Sequence, residues 1–340
     1  MKRPQPVVLA THRIHEETRV LLSQHCHVLT PDPDERFTDA ALRSHLPSVD
    51  ALMIFMPDRI DAHFLNDCAR MRVIAGALKG CDQVDVNTCT ERGIWVTVCQ
   101  DLLTLPTAEL AVGLAISLLR RMPEGDQVVR AGHGGWRPHL YGRSLIGARV
   151  GIVGMGRVGQ AIAAMLAGFG CVIAYSDLSP LSPADEQKLA ARRLDFDQLF
   201  AENEVIMLAA PLTAQSRHAI NDRSLALMTP GTVIVNVGRG SVVDEQAVAS
   251  ALAAGRLWGY AADVFAFEDA SLADRPAHIP PALLGQYRNT VFTPHLGSAV
   301  GVVRKAIEAE AAGNIISVLK GERPSGAVNR SNSTPSSLMH

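Results

Sequence analysis

Residues 149–159 read RVGIVGMGRVG, and this stretch decides the fold. Arg149–Val153 is a short β-branched, apolar run, and a helical pattern opens directly after the glycines. Gly154, Gly156 and Gly159 thus form G-x-G-x-x-G between a strand and a helix, the context in which this motif binds a dinucleotide diphosphate. Gly154 permits the tight turn, Gly156 lets the backbone approach the pyrophosphate, and Gly159 lets helix and strand pack closely. The bare N–H groups and dipole of the helix N-terminus complete the anion site. Met155, Arg157 and Val158 occupy the intervening places and are candidate cofactor contacts. The next strand ends at Tyr175-Ser176-Asp177, and Asp177 stands about 20 residues past the glycines, where an acid takes the adenosine ribose hydroxyls. A 2′-phosphate there would meet a carboxylate, and no Arg or Lys follows until Lys188, so NAD is expected rather than NADP.

Outward from the motif, short apolar runs and helical patterns alternate from end to end, the signature of a parallel α/β fold. Before it, strands are expected at Val7–Ala10, Val28–Leu29, Ala51–Phe55 and Val73–Ala75, with Ile94–Val96 at an edge. After it they are expected at Cys171–Tyr175, Val205–Ala209, Thr232–Asn236, Tyr260–Val264 and Thr290–Phe292. A helix from about Pro106 to Arg121, with Leu110, Leu114 and Leu118 on one face, reads as the passage between two domains. A last helix at about Val302–Leu319 has no further strand to serve and is expected to return to the first domain.

Length and composition agree. The chain has 340 residues, enough for two domains, and 47% are apolar. A net charge of -2 excludes a global attraction to nucleic acid or anionic membrane, so a small anion must be held by local charges. The longest apolar stretch, Ala161–Tyr175, is interrupted by Gly168 and Gly170 and does not read as a membrane span. The six cysteines form no C-x-x-C pair and no zinc-spaced cluster, so no metal is expected and they read as reduced thiols in a cytoplasmic protein.

Three segments near strand ends carry polar groups that a plain core would not need: NVGRGSVVDE (236–245), AADVFAFED (261–269) and FTPHLGSA (292–299). Open α/β sheets bind ligands at the carboxyl ends of their strands, where Arg239, Glu268 and His295 would converge. A carboxylate fixes a histidine's tautomer and raises its basicity, and a guanidinium grips an oxyanion with two parallel hydrogen bonds. Read singly, Arg239 could instead pair with Asp244.

These segments, with the glycine motif and in this order, resemble the D-isomer specific 2-hydroxyacid dehydrogenase family from about Val7 to Asn329. The resemblance implies two Rossmann-like domains: a discontinuous flavodoxin-like substrate domain (1–101 and 296–330) and an inserted NAD-binding Rossmann domain (102–295), followed by a mobile tail (331–340). It implies that Arg239 binds the anionic substrate, that His295 exchanges its proton, and that Glu268 hydrogen-bonds His295. Pro211, Asp263 and Gly297 join the expected cofactor contacts. An acid at 268 speaks against the formate dehydrogenase branch, which uses an amide partner for its histidine. A homodimer through residues 104–145 is implied as well.

The substrate is decided in the first domain, by MIFMPDR (53–59) and ALKGCDQVDV (77–86). Members acting on 2-hydroxy acids usually carry small or neutral residues in the second stretch, whereas this chain has Lys79. The chain resembles the phosphite-oxidising branch at both stretches, at THR (11–13), at Trp136 and Tyr141, and at GSAV (297–300) with Arg304. That branch implies substrate contacts from Lys79, Gly80, Met56, Trp136, Tyr141, Arg239 and Arg304. Two other readings stay open: a dehydrogenase for an ordinary 2-hydroxy acid, working in reverse as a glyoxylate or hydroxypyruvate reductase, and an NAD-sensing corepressor-like binding protein. Gln83, where an Asn is usual, and the variant stretch GQYRNT (285–290) bear on affinity rather than on reaction type.

Overall fold

The structure, a computed structural model, describes residues 5–32, 37–99 and 101–329, so the tail expected at 331–340 lies outside the described residues. The chain divides into two compact units, one built from the chain up to Leu103 together with that from Ala299 onward, the other from Thr104–Ser298.

The first unit holds a parallel sheet of β1 (Val7–Ala10), β2 (His27–Leu29), β3 (Ala51–Ile54), β4 (Val73–Gly76) and β5 (Trp95–Thr97). Its order, β2-β1-β3-β4-β5, is that of flavodoxin-like sheets. β3 and β4 are buried along their whole length, as expected of strands covered on both faces. Alternate residues point to opposite sides. Val8, Met53 and Ala75 meet Leu22 of the helix Glu16–Ser23 and Ile307, Ala311 and Ile315 of the helix Gly301–Lys320. Leu9, Leu52 and Ile74 meet Phe64, Leu65 and Cys89 on the other side. The final helix thus packs on the first sheet, and Gly321, at φ 85°, terminates it in the left-handed conformation.

The second unit holds β6 (Arg149–Val153), β7 (Val172–Ser176), β8 (Ala191–Arg193), β9 (Val205–Leu208), β10 (Thr232–Asn236), β11 (Leu257–Ala262) and β12 (Thr290–Phe292). The parallel order β12-β11-β10-β9-β6-β7-β8 is doubly wound, with its switch point between β6 and β9. The helix Thr104–Leu119 packs on the helix Arg157–Ala167, with Leu114 and Leu118 buried and Leu110 partly so. The sequence pattern missed β8, an edge strand whose Arg192 and Arg193 are exposed, and the helix Met122–Arg130, which has no buried residue. β8 is only three residues long and buries Ala191 alone, and the helix Met122–Arg130 buries no side chain in the core, so neither stands out as a core element.

Cys26, Cys68, Cys89 and Cys99 are buried, Cys81 and Cys171 half-buried, and none forms a disulfide. Burial pushes the thiols of Cys26 and Cys68 up to about 11 and those of Cys89 and Cys99 to about 12, which suits inert core filler. Among the described residues no helix is long and apolar enough to cross a membrane, and no group of three or more His, Cys, Asp or Glu side chains could hold a metal ion.

Candidate active site

The glycine motif sits at the switch point of the second sheet. Gly154 has φ 90°, and a Cβ there would lie 2.6 Å from the amide nitrogen of Ala210, just past β9. A Cβ on Gly159 would lie 2.1 Å from the Gly154 carbonyl oxygen. Gly156, the N-cap of the helix Arg157–Ala167, differs: a Cβ there would meet nothing within 4 Å. Two glycines are therefore required by packing, while the third leaves open space before the helix N-terminus, as a bound diphosphate needs. The Gly159→Ala variant is expected to melt several degrees below the parent, because the methyl meets unyielding backbone and overpacking costs about 1–3 kcal/mol. A thermal melt without cofactor reads this directly.

Asp177 is fixed beside the motif: its Oδ2 accepts the Met155 N–H at 2.6 Å and its Oδ1 the Ser179 N–H at 2.9 Å. One inference from linear order is corrected here. Although no Arg or Lys follows until Lys188, Arg193 of β8 reaches back and donates to the Asp177 carbonyl oxygen at 2.9 Å. The preference against a 2′-phosphate then rests on the Asp177 carboxylate, not on a lack of nearby cations. Met155 is buried, Val158 half-buried and Arg157 exposed, and Pro211 is exposed next to Ala210. The loop, the open Gly156 and the placed carboxylate together fit a dinucleotide.

Arg239, Glu268 and His295 follow β10, β11 and β12, three neighbouring strands, at their carboxyl ends. Glu268 Oε1 accepts the Phe265 N–H at 3.0 Å, and Oε2 lies 2.6 Å from His295 Nδ1. A carboxylate only accepts, so Nδ1 carries a hydrogen, and in the neutral imidazole Nε2 holds the lone pair. His295 itself is left-handed, φ 58°, a conformation uncommon for a residue with a Cβ.

Asp263 imposes that conformation. Its carbonyl accepts the His295 N–H at 2.9 Å, Oδ1 accepts Leu296 N–H at 2.7 Å and the Thr293 hydroxyl at 2.5 Å, and Oδ2 accepts Gly297 N–H at 2.8 Å. Burial raises its carboxyl above the ordinary range, against the pull of these donors and of His295. Expected as a cofactor contact, Asp263 has both carboxylate oxygens engaged in shaping the histidine loop. A Cβ on Gly297 would come within 3.0 Å of Thr107 Oγ1 and 3.2 Å of Asp263 Oδ2, so the loop closes tightly there.

Arg239 is half-buried, and its Nη1 donates to the Gly238 carbonyl at 2.9 Å. Asp269 is its electrostatic neighbour: burial raises that carboxyl, the hydrogen bonds from Ser241 oppose the rise, and the Arg239 charge lowers it further. Sequence reading passed over Asp269, although an acid directly after Glu268 was the available signal. Asp244 does not need Arg239. It caps the helix Glu245–Ala253 by accepting the N–H groups of Gln246 and Ala247 at 3.0 and 3.1 Å. A Cβ on Gly240 would sit 1.8 Å from the Phe265 carbonyl carbon, so the arginine loop lies directly on the turn that carries Glu268.

In the first unit, the two stretches expected to set the substrate are joined. Ile60 and Val84 form a bridge, with Ile60 N–H donating to Gln83 O at 2.9 Å and Asp85 N–H to Ile60 O at 2.8 Å. Asp58 organises the Met56 turn by accepting the Thr11 hydroxyl at 2.5 Å and the Phe55 N–H at 2.7 Å, which gives the THR segment its task. Met56 is exposed, and Lys79 and Gly80 are half-buried in the turn after β4. Arg304 was expected among the substrate contacts. Its Nη1 donates to the Ala77 carbonyl at 3.1 Å and its guanidinium lies 5.7 Å over the Phe55 ring, so it anchors the turn that bears Lys79. Trp136 and Tyr141, in the second unit, are exposed and lie 5.7 Å apart. They line a pocket of about 550 Å³ with Arg120, Arg137 and Arg143, a lining that includes none of Arg239, Glu268 and His295.

Comparison with known proteins adds to this geometry. Residues 112–297 match the family model described as D-isomer specific 2-hydroxyacid dehydrogenase, NAD binding domain. The glyoxylate reductase of Thermococcus onnurineus is 34% identical over 332 residues, covering 96% of each chain. A solved structure from Thermus thermophilus superposes with a TM-score of 0.84 at 32% identity, covering 95% of this chain and 100% of the other. A glyoxylate reductase structure from Paecilomyes thermophila superposes with a TM-score of 0.82 at 26% identity, covering 96% and 99%.

Proposed function

Since the chain belongs to the D-isomer specific 2-hydroxyacid dehydrogenase family, with its NAD-binding domain, we propose that it is an NAD-dependent dehydrogenase whose substrate is phosphite, oxidised to phosphate. The observation that carries the choice of substrate is Lys79, half-buried in a turn that Arg304 anchors at Ala77. A 2-hydroxy acid carries one negative charge, which Arg239 alone would balance. Phosphite near neutral pH is largely a dianion and calls for a second cation. A unit charge at about 4 Å contributes roughly 4 kcal/mol at an effective dielectric of 20, before desolvation is subtracted.

The Gly154–Gly159 loop and Asp177 would hold NAD, which would supply the acceptor for the hydride of the P–H bond. The chain's own residues do the rest. Arg239 holds the oxyanion with its fork of donors. Glu268 keeps the hydrogen on Nδ1, so that Nε2 of His295 takes the proton from the water that attacks phosphorus. Met56 offers an apolar face to the P–H side of the substrate. A homodimer through residues 104–145 and a cytoplasmic place belong to the same proposal, the first supported by the exposed apolar Met122, Val129, Trp136 and Tyr141.

The relatives favour a second reading, and more directly than they favour the first: two of the three proteins compared above are glyoxylate reductases. In that reading the same His295, Glu268 and Arg239 reduce a small 2-oxoacid or oxidise a D-2-hydroxy acid. One assay separates the two. NADH formation is followed with phosphite, lactate and glycerate, and NADH consumption with glyoxylate and hydroxypyruvate. A kcat/KM for phosphite well above every other value is expected. Rapid glyoxylate reduction without phosphite turnover would transfer the conclusion to the second reading.

A further inference from the structure

We propose that Glu245 is a positioning residue for the His295–Glu268 pair, a buried carboxyl that clamps the turn carrying Glu268 onto the first turn of the helix Glu245–Ala253. The proposal rests on the reading that His295 moves the substrate proton. Glu245 is 4% exposed, and its Oε1 accepts the Ala266 N–H at 2.8 Å. Ala266 opens the short turn Ala266–Glu268, in which Glu268 takes the Phe265 N–H and presents its other oxygen to His295. Gly240 presses on the same Phe265–Ala266 peptide, so the turn is held from two sides.

An ordinary tether would not need an acid. Oε2 of Glu245 is buried without a hydrogen-bond partner among the described residues, a costly place for a charged oxygen and a tolerable one for a protonated carboxyl. The charged neighbours acting on Glu245 are themselves acids: Asp269 and Glu268 from the facing turn, then Asp244 from its own helix. Tyr260 of β11 is the other titratable group facing it. Burial, chiefly, with these acids adding to it, pushes Glu245 up to about 7. Below that pH the clamp is neutral and Glu268 is the charge that faces His295. Above it, a second negative charge stands behind Glu268.

Two variants test this. Glu245→Leu removes the acceptor for Ala266 N–H. It is expected to lower kcat about 10- to 100-fold, the range for a misplaced catalytic group, with the KM for NAD changed less than about threefold. The downfield proton resonance of His295 Nδ1–H, read by NMR without substrate, should vanish. Glu245→Gln keeps an acceptor and cannot ionise. It is expected to restore the resonance and most of kcat, and to remove the inflection near pH 7 from the rate profile. Stability follows the same titration. Because the folded value of about 7 exceeds the ordinary 4.5, stability from the neutral acid is complete below 4.5 and lost as pH rises through 7. Glu245→Gln should therefore melt above the parent at pH 8 and lose that margin below pH 4.5. A Glu245→Leu protein that keeps both kcat and the resonance overturns the proposal. So does a Glu245→Gln protein whose pH profile matches the parent, which decides the matter alone if the leucine variant does not fold. The resonance needs no turnover, so an enzyme inert toward every anion would sink the functional reading while leaving Glu245 testable.

Discussion

Replacing His295 by Ala is expected to lower kcat by about three orders of magnitude while leaving the Kd for NAD within a few-fold of the parent. General acid–base groups contribute about 10²- to 10⁴-fold, and the proposed reaction has a proton to remove whichever oxyanion is used. The split between kcat and cofactor binding follows from position. His295 stands at the end of β12, whereas the glycine loop and Asp177 stand at the ends of β6 and β7, on the far side of β9, β10 and β11 in the sheet order. Alanine also relieves none of the backbone constraint: residue 295 must still hold φ 58°, because Asp263 binds the amides of residues 295, 296 and 297. The loop is thus expected to keep its course, and the loss reports the imidazole itself. Fluorescence titration with NADH beside steady-state rates gives both numbers, and retained turnover would remove His295 from the proposed chemistry.

Replacing Lys79 by Ala is expected to raise the KM for phosphite about 100-fold with kcat changed only a few-fold, and to leave turnover of any 2-hydroxy acid nearly untouched. A fixed cation binds ground and transition states of a dianion almost equally, so its loss appears in KM. The size follows from roughly 4 kcal/mol of attraction at 4 Å, reduced to about 2–3 kcal/mol by the desolvation that a half-buried ammonium already bears. The turn should survive the change, since Arg304 holds it at Ala77 and the Ile60–Val84 bridge holds its far side. An unchanged phosphite KM would mean that the second cation does not meet the substrate, and would leave the 2-oxoacid reading in possession.

What the sequence by itself determined is what depends on short spans of chain. The strand–turn–helix around Gly154–Gly159, the alternation of strands and helices, and the order of the segments bearing Arg239, Glu268 and His295 all follow from side-chain size, backbone freedom and apolar period within about a dozen residues. That Arg239, Glu268 and His295 converge was legible because their segments end strands of one parallel sheet; the pairing of His295 with Glu268 was implied by the family resemblance.

Only the tertiary structure decided the partnerships across long loops. Arg193 beside Asp177, Asp263 under the His295 loop, Asp269 beside Arg239, Arg304 at Ala77 and Glu245 at Ala266 join residues 16 to 227 positions apart. A periodic pattern says which face of a strand is buried, but not which neighbour a polar side chain finds once sheet register and crossover helices are set. Where such a group is buried, as Asp263, Asp269 and Glu245 are, leaving it unpaired costs more than any local preference could offset, so it takes the backbone or side-chain partner the fold brings to it.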